Sequence, residues 1–171
     1  SNSARLAAAN GWSIISANFL QPAWLKTHWD KLVEGWQQTN REHDIKQWRV
    51  AKSIFVAPDQ KTAERYAKNP DGPYGHYYKS LMHKLIGNGR PDLFKSDLTM
   101  ADSDITLQYV LDTLVIAGTV DQVVDKILAL REQVGEFATL LYAGHDWAIK
   151  NLAIDHSHLL AHEGRPKVNH Q

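Results

Sequence analysis

Cysteine is absent from all 171 residues, which removes both a disulfide framework and thiolate chemistry and fits a cytoplasmic protein. An excess of charge of either sign is missing too. Lys and Arg together number 19, as do Asp and Glu, so net charge recruits neither nucleic acid nor an anionic membrane surface. No apolar run approaches the roughly 20 residues of a membrane span. The opening Ser1-Asn2-Ser3-Ala4-Arg5 is not a basic-then-apolar signal peptide, and the missing initiator Met suggests a processed chain or a piece of a longer one. Gly-x-Gly-x-x-Gly, a P-loop and a nucleophile elbow are all lacking, which weakens nucleoside-triphosphate and hydrolase readings. Neither an internal repeat nor a low-complexity tract occurs.

What is present is organised around residues 113–147. The short apolar run TLVIAG leads into a helix that Thr119 and Gln122 start as a capping box, and Gly135 ends it. Val120, Val123, Val124, Ile127, Leu128, Leu130 and Val134 give that helix one apolar face. From Phe137 to Ala143 nearly every position is apolar, as in a parallel strand buried on both faces. Polar residues then crowd the strand's carboxyl end, where ligands sit in parallel α/β architectures, so His145 and Asp146 are site candidates.

The remaining chain alternates in the same way. A helix from Ala4 to Asn10, capped by Ser3, precedes a strand over Trp12–Phe19, and a helix follows from Ala23 to Gln38. Trp24, Trp29 and Trp36 share that helix's apolar side and read as core packing. Trp48–Ala57 is the next strand and Gln60–Lys68 the next helix. Residues 69–112 form an insertion, with a helix over Tyr74–Ile86, an aperiodic stretch, and a helix over Asp104–Asp112 capped by Asp102 or Ser103. A last helix runs to about His162, and residues 164–171 form a frayed tail after the single domain 1–163. Such alternation predicts a parallel sheet with right-handed crossovers. Three strong strands and one weak one cannot close a barrel, so open edges and apolar surface are expected to pair with other chains or with more of the same polypeptide.

The segment GTVDQVVDKILALREQVGEFATLLYAGHDW resembles the closing part of the bacterial luciferase-like, flavin-dependent monooxygenases, nearest the limonene-monooxygenase-like branch. SNSARLAAANG resembles that family's flavin-phosphate turn, and HWDKLVEGW and WRVAKSIFVA fit its middle. The resemblance implies a partial TIM (β/α)8 barrel in which residues 12–19, 48–57 and 137–144 are the sixth, seventh and eighth strands. TLVIAG is then a connector within the insertion. It further implies reduced FMN from a separate NAD(P)H-dependent flavin reductase, dioxygen, and a small organic substrate that is oxygenated. The first five strands, which complete the pocket, are not in these residues, so the isolated chain is expected to be inactive. A non-catalytic fragment that self-associates into an oligomer, and a deazaflavin-dependent relative, are the alternatives.

Site candidates follow from both readings. The resemblance makes Ser1, Asn2, Ser3 and Ala4 the FMN-phosphate contact, where a helix start favours an anion; plain N-capping by Ser3 is the structural alternative. Arg5 either neutralises phosphate or is solvated. His145 is the catalytic candidate, a donor towards flavin, against a solvent-facing histidine with Asp146 capping the next helix. Asp146 and Trp147 form the pocket rim, Trp147 chiefly by packing. His156, His158 and His162 share the last helix. His158 and His162 have chelating spacing but no intervening Glu, so all three read as solvated and no metal is expected.

Overall fold

A computed structural model of the chain describes residues 2–145 and 149–169; Ser1, Asp146 and Trp147 lie outside the described residues. Its centre is β2 (Trp48–Val56), a nine-residue strand to which every other strand is hydrogen-bonded in parallel. β1 (Ile14–Ser16) pairs with its first three residues, β4 (Thr139–Ala143) with Arg49–Ser53, and β3 (Val115–Gly118) with Ser53–Val56. The registers fix the two faces, because paired residues and those two apart along a strand point the same way. Trp48 and Val50 point to one side and are wholly buried. Ile15, Arg49, Ala51, Ser53 and Leu141 share the other. That second face is open where the strands begin, with Ile15 59% exposed, and closed only where Ser53 and Phe55 lie under an added helix.

Helices cover the first face. α1 (Asn2–Ala9) lies against α2 (Pro22–Gln38) so closely that a Cβ on Gly35 would stand 2.2 Å from the Arg5 carbonyl oxygen. Trp36 and Trp48 are fully buried in the resulting core, with Trp29 stacked on Trp48 at 5.8 Å and edge-on to Trp36 at 5.7 Å. The three indoles of α2 thus pack as their spacing predicts, and the Trp24 indole N–H donates to the Asp92 carbonyl of the insertion. α3 (Gln60–Ala67) starts on Asp59, whose carboxylate accepts the Thr62 amide at 2.8 Å. α4 (Pro73–Gly87), with proline in its first turn, crosses the second face. Gln21, 2% exposed, ties this insertion down by donating to the Phe94 carbonyl and the Thr113 hydroxyl. α5 (Leu107–Leu114) then feeds directly into β3, and α6 (Val120–Val134) begins on the predicted Thr119–Gln122 capping box and ends at Gly135, φ 95°.

Several boundaries depart from the sequence reading. The first strand is three residues rather than eight, because pairing with β2 stops at Ser16 and the chain turns to bury Asn18 and Leu20. TLVIAG is not a mere connector: residues 115–118 are laddered to β2. The cap of α5 is Thr106, which accepts the Tyr109 amide, since Asp102–Asp104 forms a tight turn that Lys95 clamps through Asp102 and Asp92. β4 is half-buried rather than buried on both faces, its second face being uncovered. α7 (Lys150–Leu159) passes through a π-type turn, Leu160–Gly164, into α8 (Arg165–Asn169). There Lys167 pairs with Asp121 of α6 at 2.5 Å, so the expected frayed tail is helical through Asn169. His156 is not solvated. It is wholly buried, stacked on Phe55, and its Nδ1 accepts the Val56 amide at 2.8 Å, serving a backbone donor of β2.

Candidate active site

Strand ends and the inserted helix meet at one cluster. Asn18 follows β1, Ser53 lies on the second face of β2, and His145 stands two residues past β4; α4 brings Tyr74, Tyr77 and Tyr78 over them. Ser53 Oγ is the hub. It accepts the Asn18 carboxamide N–H at 2.9 Å and lies 2.9 Å from the Tyr78 hydroxyl and 2.7 Å from His145 Nε2. Tyr77 donates to Asn18 Oδ1 at 3.0 Å, which orients the amide so that its NH2 faces Ser53. The His145 ring packs on Tyr77 with centroids 4.1 Å apart and edge-on to Tyr74 at 4.8 Å. Tyr74 is itself fixed by donating to the Ile54 carbonyl at 2.9 Å.

Burial decides the charge of this cluster. It lowers the His145 pKa to about 4, so the imidazole is neutral near pH 7, and it raises Tyr78, which keeps its proton. The cluster is therefore an uncharged set of donors and acceptors on rigid supports. It is suited to orienting a polar group and donating a hydrogen bond, and it holds no ionised nucleophile.

His145 is thus brought into a built site. Asn2, Ser3 and Ala4 are placed elsewhere, at the start of α1 beside α2; the helix begins at Asn2, so Ser3 is its second residue and not the expected cap. Asn2 and Ser3 are exposed, whereas the Ala4 side chain is buried in the core and has only its backbone to offer. Arg5 does not point outward as a free cation. Its guanidinium donates twice to Asn2 Oδ1 and once to Gln38 Oε1. Ser1 and the rim pair Asp146 and Trp147 lie outside the described residues. A second serine–histidine contact, Ser16 Oγ to His28 Nδ1 at 2.7 Å, also receives the Trp48 indole N–H, but Ser16 is wholly buried on the helix-covered face and the contact is structural. Among the described residues no group of three His, Cys, Asp or Glu side chains is gathered to hold a metal.

Sequence reasoning missed Asn18, Ser53 and the tyrosine hydroxyls. Tyr74, Tyr77 and Tyr78 fall on one side of the helix expected over Tyr74–Ile86 and pack in or against the core, yet each also carries a phenol. The available signal was Ser53 itself, a small hydroxyl directly before the apolar Ile54-Phe55-Val56 of a strand, where a buried polar group is tolerated only when it is bonded.

No known protein-family profile matches the chain. It is 28% identical over 124 residues, 72% of its length, to 3,6-diketocamphane 1,6-monooxygenase of Pseudomonas putida, and that match spans 32% of the relative. Among solved structures, the oxygenating constituent of 3,6-diketocamphane monooxygenase from P. putida, a type II Baeyer-Villiger monooxygenase in complex with FMN, superposes with a TM-score of 0.84 at 27% identity. The overlap covers 97% of this chain and 45% of that one. A monooxygenase from Streptomyces bottropensis (TM-score 0.63, 14% identity, 96% and 44% covered) shares the fold. So does the coenzyme F420 dependent tetrahydromethanopterin reductase of Methanopyrus kandleri (0.57, 20%, 95% and 47%). The chain therefore spans less than half the length of the proteins it matches. With its parallel strands, its helical layer and these likenesses, the chain is homologous to 3,6-diketocamphane monooxygenase over most of its own length and has the fold of part of a luciferase-like TIM (β/α)8 barrel.

Proposed function

We propose that this chain is the C-terminal part of an FMN-dependent monooxygenase that works with a separate NAD(P)H-dependent flavin reductase and oxygenates a small organic substrate. The observation that carries the reading is the position of the His145–Ser53 cluster, on the second sheet face at the carboxyl ends of β1 and β4, together with the likeness to an FMN-bound monooxygenase over 97% of the chain.

The residues present fit the cofactor at two places. α1 opens with backbone amides that have no helical acceptor, an exposed Ser3 hydroxyl and no acidic residue in its first turn, a donor set suited to a phosphate. Asn2 and Ser3 would hold it, with Ser1 and the Ala4 amide. The neutral His145 cluster would meet the polar edge of the ring or the substrate. When bound, reduced FMN supplies the activation of dioxygen. This chain's residues anchor the phosphate, orient the polar edge and keep the tyrosine-lined wall dry. The open face around Ile15, Arg49 and Leu141 is the surface that the first five strands would cover, closing the barrel and completing the pocket.

Flavin titration and oxygen uptake with a reductase, in a longer polypeptide that supplies those strands, test the reading. Binding and NAD(P)H-dependent oxygen consumption are expected there, and the lack of both rejects it. A second reading is favoured by the same open face: a non-catalytic fragment that self-associates through it. Failure of this chain alone to bind FMN or a deazaflavin, combined with its concentration-dependent dimerisation in sedimentation, favours the second.

A further inference from the structure

Ser53 sits among three hydrogen-bonding partners, yet a serine hydroxyl has one proton to give and two lone pairs to receive with. Asn18 uses one lone pair, because Tyr77 donates to its oxygen and leaves its NH2 facing Ser53. Tyr78 is wholly buried, its phenol retains its proton, and the acceptor seen for that proton is Ser53 Oγ, which occupies the second lone pair. The one remaining direction is the Ser53 proton itself, and the remaining partner is His145 Nε2 at 2.7 Å. The geometry points to a fixed tautomer: Ser53 donates to His145 Nε2, so His145 carries its own proton on Nδ1 and keeps that N–H as its donor.

Tyr77 and Tyr78 thereby act as positioning residues, one by orienting Asn18 and the other by filling Ser53, and neither need touch a ligand. The ligand group that His145 meets must then be a hydrogen-bond acceptor, such as a carbonyl oxygen; an N–H or O–H donor would face the wrong atom. His145 is also poorly placed as a base through Nε2, whose lone pair is engaged. This inference rests on the flavin-monooxygenase reading only for what the acceptor belongs to; the tautomer is a property of the chain itself.

Long-range 1H–15N correlation NMR on the 15N-histidine-labelled chain near pH 7, with the His145 signals assigned by their loss in His145→Gln, reads the tautomer directly. The expected result is a protonated Nδ1 and an unprotonated Nε2. Ser53→Thr, which keeps the hydroxyl, is expected to retain that pattern. Ser53→Ala is expected to move His145 towards the Nε2–H form, provided the other histidine signals show the fold intact. A wild-type His145 with its proton on Nε2 overturns the inference, as does a Ser53→Ala protein that is folded and unchanged at His145. Flavin titration of the longer polypeptide reports separately on the proposed function, so a failure of either is distinguishable from a failure of the other.

Discussion

At the scale of single residues, the chain uses histidine in buried, neutral form. Burial lowers both His145 and His156 to about 4 from an ordinary 6.5, while the unfolded chain regains the ordinary value. Between about pH 6.5 and pH 4 the unfolded state therefore binds more protons, so the stability these groups contribute is present above pH 6.5 and is lost as pH falls through that window. Denaturant unfolding at pH 7 and pH 5 should show the loss, and His156→Gln should flatten the dependence; an unchanged slope in that variant would assign the effect elsewhere. Ser3 is a second residue-scale test. If it bonds a flavin phosphate, Ser3→Ala in the longer polypeptide removes a charge-assisted hydrogen bond worth about 1.5–3 kcal/mol, roughly ten- to a hundredfold in FMN Kd by titration. A purely structural part for Ser3 in the first turn of α1 predicts a change in unfolding free energy instead, with FMN affinity intact.

At the scale of elements, close backbone approach governs. Gly35 lets α1 lie on α2, and a methyl there meets both the Arg5 carbonyl and the Ala8 side chain. Alanine in a helix interior is worth up to about 1 kcal/mol over glycine, but overpacking costs about 1–3 kcal/mol, so Gly35→Ala should destabilise in equilibrium unfolding. Thr119→Ala, which removes the capping box of α6, should cost about 1 kcal/mol in the same measurement. Elements with strong local signals were legible in sequence: α2 from its indole stripe, α6 from its cap and terminating glycine, β2 from its β-rich segment stopped by Pro58. Lengths set by pairing were not, because β1 ends where β2 ceases to offer partners, and nothing within residues 12–19 encodes that. The same holds for the candidate site. His145 was legible as a polar residue after an apolar run, whereas Ser53, Asn18 and Tyr78 come from separate stretches of the chain and become its neighbours only once β1, β2 and α4 are packed.

At the scale of the whole molecule, one sheet face is finished and the other is not. Ile15, Ala51 and Leu141 line a surface with an apolar centre beside exposed Arg49 and Thr139, which suits contact with further strands better than water. Sedimentation velocity over a concentration series is expected to show self-association of the chain. Ile15→Lys should suppress it without lowering the unfolding midpoint, since this side chain is 59% exposed and few contacts are lost. A wild-type chain that stays monomeric throughout would remove the case for an adhesive face.

The pairing of every strand with β2 also sets a timetable. As the polypeptide leaves the ribosome, Trp48–Val56 emerges with β1 ready to join it, while Ser53 must wait for Ala143 to arrive from far down the chain. Closing so long a loop is entropically late, so the flank of β2 reserved for β4 stays unzipped until β4 has emerged. Nascent chains stalled before residue 139 would accordingly be the ones a chaperone or protease catches first.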